Sequence, residues 1–377
     1  MALFGRKKEQ EVTVQTAARN LQAAFGLSLM KDSGGRLCER KLYKALKDTV
    51  PLIDGALKKI VRLVGGFRIR CADKELEQEI NAFLGSVRVN ACGTGAESFL
   101  SAYLEELLTY GTAVGEIVTD SAAKNIAALY NASLDDVELS AGSSPFDLKI
   151  TVRGESGERT EVRYPALVLC SVLMPESGCI YGTSVLKGLP LMGDILMKIY
   201  HAVGTNWDRV GNVRFAVSYH PADSERSFSK DRAKQIASEW SKAMTSPEPR
   251  DFVTVGDVSI KVIGAENQIP DSEVPVRQIL EQILAKLGIP PFMLGLSWSS
   301  TERMSSQQAD ILTSELEYYR RILNGTIRRI CDVWLRLRGT KADYEVVWDN
   351  INLQDEVELA RARLYNAQAE QLEVKEA

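Results

Sequence analysis

Few residues in this chain are spaced for catalysis. Asp271-Ser272-Glu273 offers two carboxylates of the kind that hold a divalent ion in a metal-dependent nuclease. No lysine follows them and no strand pattern carries them, so the favoured reading is the cap of the next helix. Gly295-Leu296-Ser297-Trp298-Ser299 sets a serine between small residues, but Ser299 stands where a nucleophile elbow needs its closing glycine. Gly93-Thr94-Gly95 reads as a small-residue turn before a helix. No G-x-x-x-x-G-K-[ST] exists, which excludes a Walker loop. His201 and His220 are the only histidines. His201 falls on the flank of an apolar helical stripe with no second ligand in register. The six cysteines, at 38, 71, 92, 170, 179 and 331, form no C-x-x-C pair; this argues against structural zinc and fits a reducing compartment. The expectation is a protein with no catalytic residue, no metal and no cofactor.

Charge is the second chemical resource. Lys+Arg number 46 against 50 Asp+Glu, a net charge of −4, whereas a dedicated nucleic-acid binder is usually basic. Two local clusters depart from this balance. Residues 311–340 carry six basic and three acidic side chains, with Arg320-Arg321, Arg328-Arg329, Arg336 and Arg338. They could touch phosphates, though a solvated or intersubunit helix face is favoured. Lys230, Arg232, Lys234 and Lys242 alternate with Asp231 and Glu239, the pattern of a protein-contact or solvated surface.

The elements that must carry these residues follow from periodicity. Residues 1–45 mix charge, Gly and Ser and read as partly mobile, with no apolar signal core in residues 1–10. Asp48-Thr49 are expected to cap a helix with Pro51 in its first turn, ended by Gly65-Gly66. Phe67–Cys71 alternates as a strand. Asp73–Leu84 and Gly95–Tyr110 read as helices, the second burying Phe99, Tyr103, Leu104, Leu107 and Leu108. From Ala113 to Met174 the period is two, with strands at Val114–Val118, Ile126–Tyr130, Leu148–Val152 and Glu161–Tyr164. A long helix follows Tyr181-Gly182-Thr183-Ser184, with Pro190 allowed only near its first turn or at a kink. A small insert comes next: strand Arg214–Tyr219, helix Lys230–Met244, and strands Phe252–Val255 and Ser259–Ile263. Val274–Leu287 returns as a helix. Met304–Arg338 is a long helix with a kink expected at Asn324-Gly325. Tyr344–Trp348 is a strand, and Leu353–Leu372 a charged helix. The greasiest run, Val185–Tyr200, is broken by Lys187 and Asp194, so no span of a membrane is expected.

Between the last two long helices lies an uninterrupted signal. Leu287-Gly288-Ile289-Pro290-Pro291-Phe292-Met293-Leu294-Gly295 stops one helix, and a polar loop leads to the next, which contains Gln307-Gln308. This stretch resembles the tunnel-loop region of tailed-bacteriophage portal proteins. Tyr181-Gly182-Thr183-Ser184 matches the usual start of their first stem helix. The order of parts is similar from residue 45 to 370.

The resemblance implies an α+β, mainly helical, portal-like chain that forms a ring oligomer. Its parts would be a wing (46–180), a first stem helix (181–211), a clip (212–271), a second stem helix (272–294), a tunnel loop (295–305), a long channel-side helix (306–340) and a return strand with a short crown-like helix (341–377). The loop residues Leu296, Ser297, Trp298, Ser299, Ser300, Thr301, Glu302 and Arg303 would face DNA in the channel. Lys230, Lys234 and Arg250 would contact partners at the clip. The implied partners are about twelve copies of itself in a cyclic assembly, double-stranded DNA, a terminase packaging motor, a head–tail adaptor and the major capsid protein, at the capsid portal vertex of a virion made in the host bacterial cytoplasm. The resemblance implies no enzymatic activity; such a ring serves DNA packaging and ejection. A phage-borne nuclease and a helical scaffold unrelated to DNA are the rival classes, separated by metal-dependent cleavage and by the absence of rings.

Overall fold

Phe99, Tyr103, Leu104, Leu107 and Leu108 recur at helical spacing and are all at 1% exposure or less on helix α4 (Ala96–Tyr110). Burying side chains of this size stabilises by about 1.5–3 kcal/mol each, which makes α4 the spine of the core. It packs on β4 (Thr112–Thr119), reached through Gly111, whose φ of 76° ends the helix in the left-handed region that glycine adopts without strain. The structure, a computed structural model, describes residues 36–144, 146–154, 157–211, 214–220, 234–238, 240, 257–263, 272–296 and 302–351. The chain divides into two units, Met1–Gly193 with Leu280–Ala377, and Asp194–Ile279.

In the first unit, β4 pairs antiparallel with β5 (Ile126–Ala132) on one side and β9 (Val168–Val172) on the other. The sheet extends through β2 (Arg88–Val89) to β3 (Gly93–Thr94), giving the order β3-β2-β5-β4-β9. A second sheet, β6-β7-β8, is built from Val137–Ala141, Leu148–Arg153 and Arg159–Glu161. Val137, Leu139, Ile150 and Val162 of this region share a core with Val114, Ala132 and Val168 of the larger sheet. A two-stranded sheet joins distant parts of the chain: β1 (Phe67–Cys71) pairs antiparallel with β12 (Tyr344–Trp348). Helices α1 (Arg36–Thr49), α2 (Pro51–Leu63) and α3 (Lys74–Ser86) complete the N-terminal part.

The second unit holds most of α5 (Leu189–Gly211), then β10 (Arg214–His220) and β11 (Asp257–Ile263), paired antiparallel from Arg214↔Ile263 to His220↔Asp257. Residues 234–238 and 240 are helical (α6), and α7 (Glu273–Leu287) starts in this unit and ends in the first. Helix α8 (Glu302–Leu337) belongs to the first unit.

Several expectations need correction. The fold is mixed α+β with about half of its described residues helical, and it adds short strands, β2, β3, β6 and β9, which carry little alternation of their own. Asp48 and Thr49 close α1 instead of capping α2; the N-cap is Val50, which makes no side-chain cap bond, and Pro51 alone marks the start. The spacing of Tyr43, Leu46 and Val50, all buried, was the available signal for α1. The strand placed at Glu161–Tyr164 ends at Glu161, and Pro165 opens a 3-10 turn. α5 begins at Leu189, after Gly188 at φ 92°, and Pro190 sits in its first turn. α8 runs through Asn324-Gly325 without a break. The helix expected at Lys230–Met244 lies mostly outside the described residues, and the strand at Phe252–Val255 and the helix at Leu353–Leu372 lie wholly outside them.

α1 is held on α4 by burial of Tyr43 and Leu46 and by an ion pair between Lys47 and Glu105. Beside this contact lies Glu106, whose Oε2 is buried and accepts no hydrogen bond from the described residues. Burial, and then the charges of Asp135 and Glu105, push its carboxyl up to about 8, with Lys47 pulling the other way. A carboxyl raised in the folded state holds a proton that the unfolded chain has released. Stability therefore falls as pH rises from the unfolded value near 4.5 to about 8, by roughly 3–5 kcal/mol in all. Glu106→Gln is expected to remove that slope. Urea unfolding at a series of pH values checks it, and an unchanged slope in the variant rules Glu106 out as the source.

Candidate functional site

The segment between α7 and α8 is anchored by apolar residues on one side. Leu287 and Ile289 are buried, at 5% and 3% exposure. Gly288 turns the chain at φ 68°, and Ile289 N donates to Leu284 O. Pro290 then holds an extended ψ of 138°, and Pro291–Leu294 form a 3-10 turn closed by Gly295 at φ 76°. Leu296 N donates back to Pro291 O at 3.1 Å, so the turn is tied at both ends. On the far side α8 begins at Glu302, two residues earlier than the expected Met304. Of the predicted loop residues, Leu296 ends the anchored turn and Glu302 and Arg303 are the first residues of α8. Ser297, Trp298, Ser299, Ser300 and Thr301 lie outside the described residues. Gln308, in the second turn of α8, has a buried Oε1 that accepts no bond from the described residues.

The Tyr181–Ser184 stretch serves as a backbone crossing. Thr183 N donates to Leu173 O at 2.7 Å, and Leu173 N to Gly111 O at 2.8 Å. Gly182 N donates to Thr112 Oγ1 at 3.0 Å, and Ser184 Oγ donates to Thr109 O at 2.6 Å. Tyr181 reaches the second sheet, where its hydroxyl accepts from Leu139 N at 2.7 Å. A Cβ on Gly182 would collide with the carbonyl oxygens of Gly111 and Leu173. The glycine is there because two backbones pass where no side chain fits.

The arginines of α8 divide by what they touch. Arg320 is buried at 4% exposure. Its Nε and Nη2 donate to Val64 O at 2.9 and 2.6 Å, and Nη2 also donates to Asp349 O at 2.7 Å. Nη1 pairs with Glu317 at 3.0 Å, and the guanidinium lies 5.1 Å from the Trp348 ring centroid. Arg321 stands over Tyr318, Arg329 donates to Ala166 O, and Arg338 pairs with Glu79 and covers Trp334. Thr326, on the same helix, bonds Ser171 of β9 at 3.1 Å; burial beside this pair raises the Tyr103 hydroxyl far above its usual range. Three of the six clustered arginines, Arg320, Arg329 and Arg338, thus tie α8 to other elements, while the contact of Arg321 stays within its own helix. This supports the structural reading for those three.

The residues weighed for catalysis do not converge. Gly95 is the N-cap of α4, Ser272 directly precedes α7, and His201 is exposed on α5. Among the described residues no group of three or more His, Cys, Asp or Glu is placed to hold a metal ion, and no helix is long and apolar enough to cross a membrane. Lys234 is exposed on α6; Lys230 and Arg250 lie outside the described residues.

No family model and no curated protein matches the chain. Solved structures do. A chain of the virion of a native gene transfer agent particle superimposes with a TM-score of 0.61 at 15% identity, covering 88% of this chain and 89% of that one. A chain of the neck of a native gene transfer agent particle, computed with C12 symmetry, gives 0.62 at 15% identity, covering 87% and 88%. The fold is that of these particle chains. At the level of fold, it bears out the portal resemblance of the sequence. An HK97 family phage portal protein from Corynebacterium diphtheriae is matched over 81% of this chain and 95% of that one, at 14% identity and a TM-score of 0.43, too low to add weight.

Three substitutions test this anatomy. Arg320→Met leaves the Val64 and Asp349 carbonyls without their donors and should cost about 3 kcal/mol of unfolding free energy. Arg320→Lys cannot serve both carbonyls with one point charge and should cost somewhat less. Gly182→Ala should destabilise by more than about 3 kcal/mol, because only backbone can move aside. Denaturant melts of the three variants check the order.

Proposed function

We propose that this chain is the subunit of a portal ring in a phage-type particle. In this reading about twelve copies close into a cyclic assembly at one capsid vertex of the virion. The ring is the conduit for double-stranded DNA in packaging and ejection. It is also the dock for a terminase motor and then a head–tail adaptor, and it contacts the major capsid protein. The observation that carries the reading is the fold shared over nearly nine-tenths of both chains with a particle-neck chain computed with C12 symmetry. A second support is exposed apolar surface. Ile195, Met197, Tyr200 and Trp207 of α5 stand 37%, 38%, 47% and 64% exposed in the single chain. Neighbouring copies would cover it. The chain would hydrolyse nothing and carry no cofactor; its role is mechanical, and it is made in the host bacterial cytoplasm.

Within that ring Leu296, Ser297, Trp298, Ser299, Ser300, Thr301, Glu302 and Arg303 would line the narrowest part of the channel, held by the Pro290–Leu296 anchor and by α8. Lys230, Lys234 and Arg250 would contact the motor or adaptor. Weak, uniform contacts suit a sliding duplex, since each tight phosphate pair acts as a brake.

Sedimentation and electron micrographs of the purified chain should show closed rings. Chains that stay monomeric at high concentration and at every salt tested count against the reading. Removal of Ser297–Thr301 should leave rings intact while phage carrying it lose packaged DNA. Normal packaging and retention would remove the loop from the mechanism. Charge reversal at Lys234 should weaken motor or adaptor binding without dissolving the ring.

A further inference from the structure

The two clustered arginines not engaged inside the subunit, Arg328 and Arg336, lie on one face of α8 and line the same cavity. Its volume is about 480 Å³, and it sits between the last turns of the helix and the Thr340–Tyr344 segment that leads into β12. Lys341 lines it too. All three cations are exposed, and among the described residues none has a carboxylate within ion-pair distance. Two acids share the wall, Asp332 and Asp343, so the lining is net positive by one charge. Asp332 is already occupied: the Tyr344 hydroxyl donates to its Oδ1 at 2.7 Å and lies 2.9 Å from Arg328 O. That bond turns the carboxylate toward the strand and leaves the guanidinium beside it without a partner.

The end of α8 would ordinarily repel an anion, because the last carbonyls carry the negative end of the helix dipole. Here they are covered. Thr340 N donates to Leu335 O and Gly339 N to Arg336 O, both at 3.0 Å, with Gly339 in the left-handed region at φ 70°. Besides those two carboxylates, the lining presents two planar guanidinium groups, an ammonium and the Thr340 hydroxyl. Guanidinium forks match the spacing of phosphate oxygens, and an ammonium adds a point charge.

We propose that this cavity binds the phosphate groups of a nucleic-acid backbone through Arg328, Arg336 and Lys341. The choice of a nucleic-acid backbone over other phosphates rests on the conduit reading above; the phosphate chemistry does not. The site is shallow and open, so it takes a group presented on a polymer rather than enclosing a small ligand. Arg338 on the same stretch is paired with Glu79, Arg329 donates to Ala166 O, and neither lines the cavity. Contact is therefore local and limited to a few phosphates.

The test compares the wild-type chain with the triple variant Arg328→Gln, Arg336→Gln, Lys341→Gln. A control variant, Lys58→Gln, Lys74→Gln, Lys149→Gln, changes net charge equally at ion-paired surface lysines. Binding of a fluorescent short double-stranded oligonucleotide is measured across a salt series, with thermal melts confirming that both variants fold. The cavity variant should lower the slope of log K against log salt by about 2–3, one counterion's worth per lost contact, while the control leaves it unchanged. Coincident lines for the two variants overturn the proposal. Inorganic phosphate is titrated alongside. If it binds saturably to wild type and not to the cavity variant while oligonucleotide binding is unmoved, the site belongs to a free phosphate and the nucleic-acid assignment fails. Ring formation is scored separately by sedimentation, so loss of the conduit reading and loss of this site give different results.

Discussion

Arg320 is a charge placed where water cannot reach it, and much of the first unit is arranged to make that tolerable. A guanidinium cannot neutralise itself by losing a proton in a protein, so it must find acceptors for a fixed fork of donors. It finds them at places far apart in the chain: the carbonyl at the end of α2, the carbonyl just past β12, and Glu317 one turn back on its own helix. Trp348 covers one face, and its indole N–H is in turn held by Asn324 at 2.8 Å. Phe67 of β1 packs against the same ring at 5.5 Å. The β1–β12 pairing joins strands more than 270 residues apart in sequence. Two strands alone are marginal in water, so their persistence depends on this junction. A long surface helix thus becomes a rigid part of the unit.

The same logic explains why the stretches that drew attention in the sequence turn out to be joints. Gly182 lets one backbone cross another, and the donors and acceptors exposed by the crossing satisfy each other. Leu287, Ile289 and Pro290 bury the approach to the loop, and Pro291 and Gly295 shape its turn. Residues of this kind are constrained by geometry, so they carry a strong pattern while doing no chemistry.

That contrast sets what could be read in advance. α4 and its five buried residues, the Phe67–Cys71 and Tyr344–Trp348 strands and the returning α7 were legible because a single period decided each of them. α1 escaped because its apolar contacts are few and its charged residues many. β6 and β9 escaped because five-residue strands owe their existence to partners, β7 and β4, that local pattern cannot name. The arginine cluster was legible as a charge pattern but not as a division of labour. Nothing in Arg320-Arg321 or Arg328-Arg329 distinguishes the member that is buried from the member left facing a cavity. That depends on which carbonyls the rest of the fold brings near.

Charge also acts over a shorter range than a composition suggests. At physiological salt the screening length is about 8 Å, less than the span of two turns of helix. The acidic total of the chain, −4, therefore does not cancel the small local excess of positive charge at one groove, nor does it add to the pull of that groove on a distant polyanion. A polymer of phosphates would meet attraction only on contact and little before or after. Affinity then grows with the number of contacts rather than with net charge. A chain with many unengaged arginines would bind such a polymer tightly and slow its movement. This one buries Arg320 against two carbonyls and engages the exposed Arg329 and Arg338 with a carbonyl and a carboxylate. The bonds that tie α8 into its unit therefore also occupy donors that would otherwise be open to a phosphate.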